Sequence, residues 1–79
     1  MNLRKLQNGQ TAVISSIKIG GSLGLRIREM GIIPGTKVTI TGRAPLYDPV
    51  KIRLGEQMLT LRNNEADYIE VTEVGGAAR

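Results

Sequence analysis

Seventy-nine residues make one small domain, and a chain this short buries only about 60–65% of the surface its unfolded form exposes, so its core is thin. It contains no cysteine and no histidine, which removes a disulfide scaffold, the two commonest transition-metal ligands and every Ser-His or Cys-His catalytic pair. The net charge of +4 is uneven: residues 1–62 carry ten Lys/Arg against Glu29, Asp48 and Glu56, whereas residues 63–79 carry four acids against Arg79. A basic body of that kind suits an anionic partner or simply a well-solvated surface.

The apolar set is nine Ile, eight Leu and five Val, with no Phe or Trp. With six Thr, the chain holds twenty β-branched residues, whose stiff side chains favour pleated strands. In chain order, Asn8-Gly9 signals a turn, and Thr11 to Ile19 then reads as a strand broken by Gly20-Gly21. Ser22 is the expected N-cap of a short helix over 22–30, on which Leu23, Ile27 and Met30 form one apolar stripe. Gly24 weakens that helix by about 1 kcal/mol relative to Ala, so it depends on tertiary packing. Gly31 stops the helix, and Pro34-Gly35 has the chemistry of a type II turn.

Val38 and Ile40 alternate with Lys37, Thr39 and Thr41 in a second strand. A loop held by two prolines, Ala44-Pro45-Leu46-Tyr47-Asp48-Pro49, leads to a third, in which Val50, Ile52 and Leu54 alternate with Lys51 and Arg53. Gly55-Glu56-Gln57 turns into a fourth strand with Leu59 and Leu61 on one side. Asn63 is the expected cap of a single helical turn through Glu65-Ala66, and a last strand turns Ile69 and Val71 inward. Residues 1–74 form the expected domain, and Gly75 to Arg79 reads as a loose tail. Five short strands cannot bury both faces of a flat sheet, so a small barrel is expected: SH3-like, with the OB-fold as its rival. Periodicity does not choose between them.

Four stretches carry a family resemblance. Arg26-Ile27-Arg28-Glu29-Met30-Gly31-Ile32-Ile33-Pro34-Gly35 resembles the Arg-Leu-x-Glu-Leu/Met-Gly-x-x-Pro-Gly pattern of the FeoA family of bacterial ferrous-iron transport proteins. Leu3, Leu6 and Gly9 are similar to its opening, Ala44 to Pro49 to its Ala-Pro-Leu-Gly-Asp-Pro loop, and Leu61-Arg62-Asn63-Asn64-Glu65-Ala66 to its Leu-Arg-x-x-Glu-Ala turn. Ile27 replaces a Leu at nearly equal volume, and Tyr47 stands where the family has Gly. The resemblance implies a mainly β, SH3-like barrel and a non-enzymatic accessory role in ferrous-iron uptake. It also implies a cytoplasmic chain held at the inner membrane through FeoB, a transporter with a GTP-binding domain.

The candidate partner-binding residues are Arg26, Arg28 and Glu29 on the outward helix face, Met30, and Pro45, Leu46, Tyr47 and Asp48 in the loop. Met30 and Leu46 are expected to line an apolar cleft. No cofactor and no metal site are expected: the inventory offers seven carboxylates and three thioethers, and Glu65, Asp67, Glu70 and Glu73 read as a solvated surface. A second reading is a nucleic-acid-binding barrel in which Arg26, Arg28, Lys37, Arg43, Lys51 and Arg53 meet phosphates, though two tyrosines are few for base stacking. A third is a sensor domain of the kind appended to metal-dependent repressors. No run of 18 apolar residues exists, so no bilayer insertion is expected, and exposed edge strands leave self-association open.

Overall fold

The computed structural model describes residues 1–43 and 49–76. Its elements are β1 (Gln10–Ile17), α1 (Gly21–Glu29), β2 (Lys37–Arg43), β3 (Val50–Leu54), β4 (Gln57–Leu61), α2 (Asn63–Ala66) and β5 (Ile69–Gly76), preceded by a 3-10 turn at Leu3–Lys5. All strand pairs are antiparallel, in the order β4-β3-β2-β1-β5. This is the five-stranded, mainly β architecture with one helix after the first strand that the composition and periodicity led to.

The period-2 pattern decides which face is buried. Val38 and Ile40 of β2, Val50 and Ile52 of β3 and Ile69 of β5 are fully buried, and Ala12 and Ile14 of β1 nearly or fully so. They meet Leu3, Leu6, Ile27, Ile32, Leu61 and Ala66 in one continuous core. Side chains from both ends of the strand order share that core, so the sheet curls around it. The two opening leucines close one end: the 3-10 turn buries Leu3 and Leu6 while leaving Arg4 and Lys5 outside.

Local chemistry fixes the connections. Gly31 and Gly35 both sit at φ 94°, which a side-chain-bearing residue adopts only at a cost. Thr36 N–H donates to Ile33 O at 3.2 Å across Pro34-Gly35, the i-to-i+3 bond of a type II turn. Gly35 N–H then donates to Ile14 O at 2.8 Å, tying the turn to β1.

Several boundaries differ from expectation. β1 ends at Ile17, two residues early, and Ile19 packs half-buried against the core from the connection. Gly20, not Ser22, is the N-cap of α1, with no side-chain cap, and Ser22 lies inside the helix. The reason is the approach of the helix to the preceding chain. A Cβ on the buried Gly24 would stand 2.3 Å from Ile19 O, so the helix must begin tightly behind Ile19. At α2 the N-cap is Arg62 rather than Asn63, and the Arg62 backbone N–H donates to Glu65 Oε1 at 2.9 Å. β5 continues past the expected tail boundary, with Gly75 opposite Thr11 and Gly76 opposite Gln10.

Candidate functional site

α1 offers the most varied exposed surface. With its apolar stripe turned inward, Ile27 fully buried and Leu23 and Met30 half-buried against the core, the opposite face is set by helical geometry. Leu25 lies at the centre of that face and is 56% exposed. Arg28 at i+3 and Glu29 at i+4 flank it, both exposed. The result is an apolar side chain between a cation and an anion, on a helix held from behind by the core.

The residues expected to form the site separate here. Arg28 and Glu29 are outward, as expected. Met30 is half-buried and packs on the core with Leu23 and Ile27, on the inward stripe expected for it. Pro45, Leu46, Tyr47 and Asp48 lie outside the described residues, as does the cleft expected between Met30 and Leu46. Arg26 is exposed along its length, but its guanidinium pairs with Glu65, 39 residues away. Glu65 is the one buried charged residue of the described part, 5% exposed, and its second oxygen takes the Arg62 N–H. One carboxylate therefore bolts α1 to the start of α2, and Arg62 meets it through its backbone. Arg26 positions the helix as well as decorating it.

The acidic grouping is a solvated surface only in part: Glu65 is buried, Asp67 and Glu70 are partly exposed and each has a cationic partner, and the Glu73 side chain lies outside the description. Asp67 accepts from Arg4 Nη1 at 3.2 and 3.3 Å, and Glu70 lies 3.5 Å from the chain's amino group. Among the described residues no three His, Cys, Asp or Glu side chains come together in a way that holds a metal ion. The remaining cations divide. Lys37, Lys51 and Arg53 project from the outer face of β2 and β3, opposite the core side, and the Lys51 stem lies over Gly42, 3.9 Å from where a Cβ would stand. The Arg43 side chain is outside the description.

Sequence reasoning passed over Leu25, although the signal was present. It is an apolar residue two positions out of phase with the Leu23, Ile27, Met30 stripe, and so on the wet side of the helix. Ile33, 47% exposed beside the turn that follows, is a second apolar side chain turned to solvent. Physically the α1 face is suited to docking, with an apolar anchor and opposite charges on a rigid support.

Comparison with known proteins supplies the context. Residues 1–73 match the FeoA domain family. A fusion protein of Porphyromonas gingivalis, described as Fe(2+) transport protein A joined to the Fe(2+) transporter FeoB, is 37% identical over 78 residues. That match takes in 99% of this chain but only 9% of the fusion. The solution structure of iron(II) transport protein A from Clostridium thermocellum superposes with a TM-score of 0.90 at 39% identity, covering 94% of this chain and 46% of that one. A zinc-complexed FeoA from Stenotrophomonas maltophilia, described as a prokaryotic SH3 domain protein, superposes at 0.81 with 26% identity, covering 91% and 89%. The strand order and the single helix after β1 are thus those of an SH3-like FeoA fold. No helix of the described residues is long and apolar enough to cross a membrane.

Proposed function

Because this chain belongs to the FeoA family, a family of non-enzymatic transport accessory proteins, we propose that it serves ferrous-iron uptake by docking on the cytoplasmic part of a FeoB-type transporter through the outer face of α1. The observation that carries this reading is the fusion: a protein that matches 99% of this chain at 37% identity is described as Fe(2+) transport protein A joined to the transporter FeoB in one polypeptide. Linking two modules raises the effective concentration of one at the other, which is useful where the two must touch.

The α1 face supplies a physical basis. Leu25 is 56% exposed, and covering it removes apolar surface from water without disturbing the core behind it. Arg28 and Glu29 set orientation through charge rather than adding much affinity, as rim charges do. The Arg26–Glu65 pair holds the helix in place, so little conformational freedom is lost on docking. The loop residues Pro45, Leu46, Tyr47 and Asp48 belong to the same proposed contact. Through it the chain biases the conformation or the nucleotide cycle of the transporter.

The experiment is titration of the detergent-solubilised transporter with this chain, with and without a GTP analogue. Saturable binding that Leu25→Asp abolishes supports the reading. Binding that Leu25→Asp leaves intact removes α1 from it, and absence of binding in both nucleotide states removes the partner. Nucleic acid is disfavoured by the outer face of β2 and β3, where Lys37, Lys51 and Arg53 stand with no aromatic side chain among the described residues of those two strands on which a base could stack.

A further inference from the structure

The two edges of the sheet are treated differently. On β5, Val71 N–H donates to Met1 O at 2.8 Å, Asn2 forms a bridge to Glu70, and the amino group of Met1 lies 3.5 Å from Glu70 Oε1. Residues 1 and 2 thus stop the first half of that edge. On β4, at the other end of the strand order, no strand of the described residues pairs with the outer edge. Its sequence, Gln57-Met58-Leu59-Thr60-Leu61, has no charge, no Pro and no Gly, so it lacks the devices that usually blunt an open edge, apart from being short.

The hairpin decides which groups that edge presents. Leu54 and Gln57 flank the two-residue turn Gly55-Glu56, and a pair in that position exchanges both backbone hydrogen bonds. Alternation then turns Leu59 toward Ile52 and Leu61 toward Val50. The N–H and C=O groups of Met58 and Thr60 point away from β3. Met58 is 58% exposed, and Thr60 is exposed as well.

We infer that β4 is a pairing edge for a second copy of this chain, antiparallel about a two-fold axis at Leu59. Only residues with outward groups can form hydrogen-bonded pairs. An axis at Leu59 sets Met58 opposite Thr60 of the second copy, and Thr60 opposite its Met58, for four backbone hydrogen bonds. An axis at Met58 or at Thr60 yields fewer, because the next outward partner is then beyond the strand. The same register brings the two Leu59 side chains, already half-buried against the core, together on the core side of the joined sheet. Charge does not oppose it. Arg53 lies beside Met58, and Lys51 beside Thr60, so the nearest cations of the two copies along a row are three strand spacings apart, about 14 Å. That exceeds the screening length of about 8 Å at physiological salt. Five residues make a small contact, so the dimer is weak and concentration-dependent.

The absence of cysteine from the chain makes the register testable. Leu59 faces its own copy at a non-hydrogen-bonded position, where Cα atoms are about 4.5 Å apart and a disulfide fits. In the full chain under mild oxidation, Leu59→Cys should form a covalent dimer. Met58→Cys and Thr60→Cys should not do so singly, but should when mixed. In sedimentation equilibrium up to millimolar protein, Thr60→Pro removes two of the four hydrogen bonds without touching the β3 ladder, and should raise the dissociation constant about 30-fold with unchanged circular dichroism. Wild-type protein that stays monomeric over that range overturns the inference. So does a dimer indifferent to Thr60→Pro, or disulfide formation as rapid at the exposed Ser15→Cys as at Leu59→Cys.

Discussion

Replacing Gly24 by Ala places two opposed effects at one atom. In an isolated helix the change is favourable by about 1 kcal/mol, because Ala loses less backbone freedom on folding. In this chain the added Cβ would stand 2.3 Å from Ile19 O, 3.0 Å from Ile19 C and 2.9 Å from Arg28 Nη1. The Arg28 tip can swing away, but the Ile19 peptide is backbone at the entry to α1. Ordinary contact begins near 3.4 Å, so helix and peptide must part by about 1 Å. Ile27, fully buried on the same helix, would be dragged out of register with the core. Overpacking of a close-packed site costs about 1–3 kcal/mol, and a rigid neighbour places this case at or beyond the top of that range. After subtracting the propensity gain, Gly24→Ala should lose about 2 kcal/mol and lower Tm by roughly 8–16 °C for a domain this size. Urea and thermal unfolding followed by circular dichroism measure both. Ser22→Ala, on the exposed side of the same helix, isolates the propensity effect and should leave stability equal or slightly raised. If Gly24→Ala proves as stable as Ser22→Ala, the close approach of α1 to Ile19 is refuted.

The Arg26–Glu65 pair joins a buried carboxylate to an arginine whose side chain is 64% exposed, so solvent screens much of the attraction. Arg26→Ala should cost about 1–2 kcal/mol in urea unfolding, and a double-mutant cycle with Glu65→Gln should show the two losses to be strongly non-additive. Gly35→Ala, at φ 94°, should destabilise by about 1–2 kcal/mol in the same assay, since L side chains resist that backbone. Leu25→Ala should leave Tm within a degree or two, yet weaken transporter binding about tenfold by calorimetry, the worth of roughly one apolar side chain covered on docking.

What the sequence disclosed was what is local. Val50, Ile52 and Leu54 announce their buried face because a strand has period 2, and the structure buries all three. Leu23, Ile27 and Met30 announce the inner side of α1 in the same way, and Gly31 and Pro34-Gly35 carry conformations almost intrinsic to those residues. What was hidden depends on where distant chain segments arrive. Ser22 has good capping chemistry, but the cap falls at Gly20 because α1 must start hard against Ile19. Asn63 has it too, and is displaced by Arg62 because the Glu65 carboxylate takes the Arg62 N–H. Arg26 reads as solvent-facing from its helical phase, which is correct for its stem. No local pattern shows that the guanidinium reaches a buried partner in α2. Leu25 was legible as an apolar residue on a polar face, and its importance emerges only once the inward stripe is fixed. The loop at 44–48 carries half of the site expected from sequence and lies outside the described residues.

The proposed role of this chain depends on α1 being a docking face for a transporter. The most direct measurement is the affinity of the purified chain for solubilised FeoB, wild type against Leu25→Asp, with the folding of both verified by circular dichroism. A saturable interaction in the wild type, reduced at least tenfold by Leu25→Asp at unchanged Tm, is the predicted result. Equal affinity of the two proteins, or none in either, would contradict it.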